Sequence, residues 1–424
     1  MGMLNKLKMA MWSHRSSRLL RPYFDGVDYH RNNRKRRVFS FSHSEYLRIG
    51  GGVQNVIGDE AAAFNSLGWD YFHFSPKLQL ATLSSNCDAK SFFMDFSYNG
   101  DFIGTITFNS LLKLSIENRD FTHLVVFHQL LGHSPSLLAE LVKRLSWPQC
   151  VYWVHDYFGL CTNYNLLKNG ISFCGAPEPD SATCQSCRDG IGRPNRTKLI
   201  KSFLVATKAE IVAPSEPAAE IFKRSLNTPN LSIKVVPLAR LEKVNHARML
   251  YPKVASPKRA IRVGYIGAKA YHKGWNLFAS LVQRFGGDAR YEFIYLGSNL
   301  NSHQRIINLI QHETIVTAKK RMAMTQAVAD QKIDVVVIWP EWPETFSFVT
   351  FEALAAGAFI VTNSKSGNVC SVLKRFAKPH GISLESIEQI FDLFENEKLY
   401  ELVFSESRPK YELKILPGTA SFIR

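Results

Sequence analysis

The chain has 424 residues, 46% hydrophobic and 21% charged, which is too long for one ordinary domain and leaves enough apolar material for two buried cores. Twenty-five Gly and 18 Pro exclude collagen-like and low-complexity classes, and no run approaches the ~18 apolar residues of a membrane-spanning helix. The seven cysteines imply no disulfide framework, so the chain reads as intracellular, and its net charge of +16 is uneven: residues 1–37 hold ten Lys/Arg against Asp25 and Asp28, half of the excess.

That basic arm, residues 1–37, suits an anionic membrane surface or nucleic acid. Lys6 and Lys8 interrupt the apolar core that a secretory signal needs. Leu4, Leu7 and Met11, with Met3 and Trp12 nearby, form a short apolar stripe at helical spacing. The segment reads either as a helix lying in a bilayer interface or as a disordered arm. Arg34–Arg37 also fits a solvated lead-in to the first strand.

After Arg37 strands alternate with helices. Val38–Ser42 reads as a strand, followed by the loop Gly50-Gly51-Gly52 and a helix over Val53–Leu67 that Gly68 stops. Leu124–Phe127, Val151–Val154, Glu210–Ala213 and Lys234–Val236 read as further strands, with helices opening near Ser134-Pro135 and Pro214-Ser215. Residues 239–259, charged and holding Pro252 and Pro257, read as a linker. A second series follows: Ile261–Ile266, Glu292–Leu296, Val335–Ile338 and Phe359–Thr362. Two such series predict an α/β protein with two Rossmann-like domains, 38–238 and 260–424, whose parallel sheets face a central cleft. Ligands in such sheets bind beyond the carboxyl ends of the strands.

Four places there carry chemistry. Glu344 sits on the loop before a helix that begins near Ser347, and Glu352 about two turns along it; their carboxylates suit vicinal sugar hydroxyls, and the N–H groups at the helix start suit a phosphate. Gly264-Tyr-Ile-Gly267 leads to Lys273-Gly274, where an ammonium can meet an anionic leaving group. The triple-glycine loop lets backbone approach a ligand closely but lacks the Lys-Ser/Thr of a Walker A loop. His155-Asp156 follows a strand and can donate to a substrate oxygen. Each alone is equally a helix cap, a surface lysine, a tight turn or a structural histidine.

Cys161, Cys174, Cys184 and Cys187, spaced x12, x9 and x2, lie in an apolar-poor insertion, 161–190. Cys184-x2-Cys187 is half of a zinc site, and the other two can complete a structural one; free thiols or a reversible disulfide are the alternatives. Cys87, Cys150 and Cys370 stand apart.

The order Gly51-Gly-Val-Gln, His155-Asp, Ala213-Pro-Ser, Gly267…Lys273-Gly and Glu344-x7-Glu352-Ala…Gly357 resembles the retaining nucleotide-sugar glycosyltransferases of family four, over about residues 38–370. Some sugar transferases resembling this chain carry a similar cysteine-bearing insertion after the His-Asp pair. The resemblance implies the GT-B fold and transfer of a sugar from a nucleotide-diphosphate donor to a glycan or lipid-linked acceptor with retention. It makes His155, Lys273 and Glu344 catalytic and places the donor on Gly51, Gly52, Lys269, Ser347, Phe348, Val349 and Glu352. Glu352 would bind the ribose, Glu344 the donor sugar, Lys273 the diphosphate, and His155 the transferred sugar. Ala268 stands where the family has Arg, with Lys269 as the available substitute, and Pro237-Leu-Ala-Arg240 replaces the family's Asn-Gly-Val-Asp. There is no Asp-x-Asp pair for a divalent metal, so no catalytic cofactor is expected. The expected setting is cell-surface polysaccharide synthesis in the cytoplasm, at the inner membrane face. The alternatives are a non-catalytic GT-B binding protein and a nucleic-acid binder; no RNP-like aromatic pattern or helix-turn-helix supports the latter.

Overall fold

The structure is a computed structural model that describes residues 34–84, 87–116, 121–228, 231–244, 259–298, 300, 306–376, 380–396, 398–404 and 409–423. The expected amphipathic segment of the basic arm and most of the linker lie outside these residues. Ten strands come first: β1 (Arg36–Phe41), β2 (Asp70–Pro76), β3 (Phe93–Tyr98), β4 (Asp101–Thr107), β5 (Thr122–Phe127), β6 (Gln149–Trp153), β7 (Leu167–Lys168), β8 (Ser172–Phe173), β9 (Glu210–Ala213) and β10 (Ile233–Val235). Eight of them form one sheet in the order β10-β9-β6-β5-β1-β2-β3-β4. It is parallel except for the β3–β4 hairpin at one edge.

One face of this sheet is a ladder of phenylalanines, because side chains two apart on a strand share a face. Phe39 stacks on Phe72 at 5.4 Å, Phe41 on Phe74 at 5.3 Å and Phe74 on Phe96 at 5.2 Å. All five are fully buried. The other face takes Val38, Tyr71, Val126, Val151 and Trp153 against the helix Gly52–Ser66.

The second sheet is built from β12 (Ile261–Ile266), β13 (Tyr291–Gly297), β14 (Leu309–Glu313), β15 (Val335–Ile338), β16 (Phe359–Asn363) and β17 (Gly381–Leu384). It is wholly parallel, in the order β14-β13-β12-β15-β16-β17. Its inner strands β12, β15 and β16 are largely apolar because both faces are covered: Val263, Val335, Val337 and Val361 face one core, and Ile266, Val336, Ile338 and Ile360 the other. The two-sheet architecture expected from the alternation is the one found.

Two expectations change. Arg36 and Arg37 belong to β1; Arg37 is fully buried, Arg36 bonds Leu67 O and Arg34 bonds Asp70, so only Lys35 and Arg36 of the expected solvated lead-in stay exposed. Residues 239–243, expected as linker, form β11 (Ala239–Lys243), antiparallel to β18 (Tyr411–Ile415). After β18 the chain returns to the first sheet: Trp153 Nε1 donates to Thr419 Oγ1 at 2.9 Å, and Thr419 N to Glu60 at 2.6 Å. No helix among the described residues is long and apolar enough to cross a membrane.

Thr419→Val keeps the shape of the side chain but leaves the buried Trp153 N–H without an acceptor. A loss of about 1–3 kcal/mol is expected, read as a lower urea midpoint. An unchanged midpoint would mean that this bond does not hold the tail.

Candidate functional site

Between the two sheets lies a cavity of about 550 Å³. The second sheet contributes the ends of β12 and β15 and the segments that follow them, with Gly267, Lys273, Pro340 and Glu344. The first contributes Gly50, Gly51, Gly52 and Asn55, where the helix Gly52–Ser66 starts without a side-chain cap. Close backbone approaches shape the lining. A Cβ on Gly274, at φ +84°, would sit 2.0 Å from Trp339 O, so the turn carrying Lys273 lies directly against the end of β15. A Cβ on Gly367, at φ +62°, would sit 2.7 Å from Glu344 O, and Asn368 N donates to that same oxygen. Only glycine admits both the left-handed backbone and these contacts.

Of the ten residues singled out for catalysis or donor binding, Gly51, Gly52, Lys273, Glu344, Ser347, Phe348, Val349 and Glu352 line this cavity. Lys273 and Glu344 meet each other: Lys273 Nζ donates to both Glu344 oxygens at 2.7 and 2.9 Å. Trp342 Nε1 donates to the same carboxylate at 3.0 Å. Glu344 is buried, and Lys273 is half-exposed. The helix Phe348–Ala356 begins as expected, after Ser347. The Ser347 N–H is spent on Asn368 Oδ1 at 3.1 Å, which leaves the Phe348 and Val349 N–H groups at the helix start. Glu352 is 3% exposed, and burial pushes its carboxyl up to about 7 against the opposing pull of Arg321.

The other two residues lie elsewhere. Lys269 turns away from the cavity: its ammonium donates to Gln311 Oε1 at 2.7 Å and sits 4.3 Å from the Tyr295 ring centre. Lys269, expected as the substitute for the family's arginine at position 268, is not among the residues that line the cavity. The second cation of the cavity is Arg321, which the sequence reading missed. Arg321 Nε lies 3.0 Å from Asp59 Oδ2 on the opposite domain, and the guanidinium lies 4.9 Å from the Phe348 ring centre. Burial pushes Asp59 up to about 6, again with Arg321 opposing. The only trace of Arg321 in the sequence is the basic run Lys319-Lys320-Arg321, after a strand, β14, that the pattern did not reveal.

His155 lies beside the cavity, its backbone oxygen accepting from Thr345 Oγ1 at 2.5 Å. Its ring stacks between Trp153 and His128. Desolvation, and then the charge of His128, hold it well below the usual histidine value. His155 Nε2 lies 3.0 Å from His128 Nδ1, and His128 Nε2 lies 3.1 Å from the fully buried Glu60. Burial alone would raise Glu60, but the His128 and Thr419 bonds bring it below its ordinary value. A carboxylate there fixes hydrogen on His128 Nε2. His128 Nδ1 meets His155 Nε2, so one of these two nitrogens donates and the other accepts. Two signals were available for this chain of groups. Glu60 falls on the apolar stripe Val56, Ile57, Ala61, Phe64, and His128 follows a strand as His155 does. Asp156 is taken by Gln129 and by Phe158 N.

Cys161, Cys174, Cys184 and Cys187 line one small cavity of about 10 Å³. Among the described residues no group of three or more His, Cys, Asp or Glu already stands in metal-holding geometry.

No protein-family model and no curated protein sequence matches the chain. Solved structures do. A sucrose-phosphate synthase from Thermosynechococcus elongatus is 13% identical with a TM-score of 0.51, over 88% of this chain and 92% of that one. The pneumococcal O-GlcNAc transferase GtfA, in complex with UDP and GlcNAc, is 9% identical with a TM-score of 0.52, over 88% and 95%. Anabaena HepE, in complex with UDP and glucose, is 12% identical with a TM-score of 0.50, over 87% and 92%. At these identities the likeness shows the fold, which is GT-B.

Arg321→Met removes the cation that opposes the burial of Asp59 and Glu352. Both carboxyls then rise further above their unfolded values, so the folded state holds protons that the unfolded chain releases, and stability falls as pH rises through neutrality. The variant should lose about 3 kcal/mol near pH 8 and far less near pH 5, measured by urea denaturation at both. An equal loss at both would separate Arg321 from these carboxylates.

Proposed function

We propose that the protein is a glycosyltransferase that moves a sugar from a nucleotide-diphosphate donor to a glycan or lipid-linked acceptor with retention, in cell-surface polysaccharide synthesis. The observation that carries this reading is the cavity itself. Around one space it sets a buried carboxylate for hydroxyls, unpaired N–H groups at a helix start for phosphate, and two cations. Glu352 would accept from the ribose hydroxyls. The diphosphate would lie against the Phe348 and Val349 N–H groups and draw the Lys273 ammonium from Glu344. Glu344, still held by Trp342, is then available to hydroxyls of the donor sugar.

In a retaining transfer the acceptor attacks the face that the diphosphate leaves, and negative charge builds on the leaving phosphate. Lys273 answers that charge, with Arg321 as the second cation in place of the missing arginine. His155, held by His128 and Glu60, would touch the transferred sugar. The basic arm would bring the chain to an anionic membrane surface.

A donor-hydrolysis screen over nucleotide-diphosphate sugars tests the reading, UDP-sugars first because solved structures of the same fold contain UDP. Nucleotide binding without turnover on any donor and acceptor would make the chain a non-catalytic binding protein.

The Glu352 carboxyl, raised to about 7, binds hydroxyls as its ionised form. Donor affinity should therefore fall roughly tenfold from about pH 8 to about pH 6, as pH drops through that value. Glu352→Gln should bind more weakly at the higher pH and show a flatter profile by calorimetry. A variant profile as steep as that of the parent would remove Glu352 from the ribose site.

Lys273→Ala should lower kcat by roughly 10²-fold, the scale of losing one preorganised charge-stabilising group. Turnover should need neither Mg²⁺ nor Mn²⁺, and the product anomer should match the donor. Inversion, or loss of turnover to chelator that Mg²⁺ or Mn²⁺ restores and zinc does not, would overturn the mechanism.

A further inference from the structure

The insertion after His155 sends Leu160, Leu166, Leu167 and Ala176 into the core of the first domain, and its four cysteines come from separate turns. Cys161 ends the turn that begins at Tyr157, and Cys174 follows the two-residue strands β7 and β8. Cys184 and Cys187 flank the end of the short helix Ala182–Gln185. All four line the same small space. The loop winds tightly there: a Cβ on Gly190 would sit 2.3 Å from Cys184 O.

The charge beside this cluster is the informative feature. Arg193 is 2% exposed and also lines the space. Its Nε donates to Leu160 O, its Nη2 to Ser225 Oγ, and its Nη1 to Cys184 Sγ at 2.9 Å. One turn later Arg196 is 6% exposed; it donates to Phe158 O and Thr82 Oγ1 and lies over the Phe158 ring at 4.3 Å. Neither has a carboxylate partner among the described residues. These two lie one turn apart on the helix Arg193–Thr207, and a buried guanidinium without a counter-charge is costly. Four neutral thiols do not supply one.

The geometry points to a structural zinc ion bound by Cys161, Cys174, Cys184 and Cys187 as thiolates, with Arg193 and Arg196 as its buried counter-charges. A zinc with four thiolates carries a double negative charge, which the two guanidinium groups balance. Sulfur is the donor that zinc prefers, and four thiolates close its tetrahedral shell, so the site holds structure and leaves no position for substrate. Binding releases the thiol protons and replaces the weak S–H contacts of Cys161 to Asp189 O and Cys184 to Glu178 O. The knot stands next to the cleft: Ile171, between β7 and β8, accepts from Tyr271 OH of the second domain at 2.5 Å, two residues from Lys273.

The test is metal and thiol analysis of the full chain, purified with reductant and without chelator. About one zinc per chain is expected, released as a mercurial titrates four of the seven cysteines. Cys174→Ser and Cys187→Ser should lose the metal, while Cys370→Ser keeps it. Arg193→Gln should weaken zinc retention against a competing chelator by roughly 10–100-fold, the scale for an outer partner of a ligand. Should the serine variants fail to fold, the stoichiometry of the parent chain still decides. Metal-free protein with seven reactive thiols, or a disulfide within the four, overturns the proposal.

Discussion

One buried carboxylate ties the first domain together at the cleft. Glu60 is fully buried, and an ion of that size loses several kcal/mol of hydration on entering the interior. It is tolerable only because donors arrive from three directions: Tyr71 OH from β2, His128 Nε2 from the end of β5, and Thr419 N from the returning tail. Each donor is fixed by what it satisfies. The tail is placed over the helix Gly52–Ser66, the His128 tautomer is set, and through it the orientation of His155. A surface contact of equal geometry would have none of this reach, because water would compete for every bond.

The cleft repeats the pattern with charge pairs. Glu344 is buried against Lys273 and Trp342, and Arg321 lies between Asp59 of one domain and Glu352 of the other. The pairs differ in strength. Lys273 reaches both oxygens of its partner at bonding distance, whereas Arg321 Nη2 has no hydrogen-bond partner. The Arg321 pair also spans the domains, so any change in their separation acts on the Asp59 and Glu352 carboxylates together.

Much of the fold was legible. Val335–Ile338, Ile261–Ile266 and Glu210–Ala213 are short apolar runs, and the structure places strands at the same residues, because strands covered on both faces need nothing polar. Strands β2 and β3 were not legible: Asp70–Pro76 and Phe93–Tyr98 mix Asp, His and Ser with aromatics. In β2 those polar side chains are buried and satisfied by distant partners, Asp70 by Tyr98 and His73 by Ser40 and Ser42. Strand β11 hid in charged sequence because its partner β18 lies more than 160 residues away.

By itself the sequence determined the alternation of strands and helices, and with it two parallel sheets whose carboxyl ends carry Gly51, Lys273, Glu344 and Glu352. Those follow from local apolar spacing and from glycines that local backbone geometry requires. The tertiary structure alone decided which charges meet. Lys273 against Glu344, Arg321 in place of Lys269, Glu60 under His128, and two arginines beside four cysteines all join residues far apart in the chain. Whether a long side chain turns into a cleft or onto a neighbouring ring depends on packing between elements, and no local pattern records it.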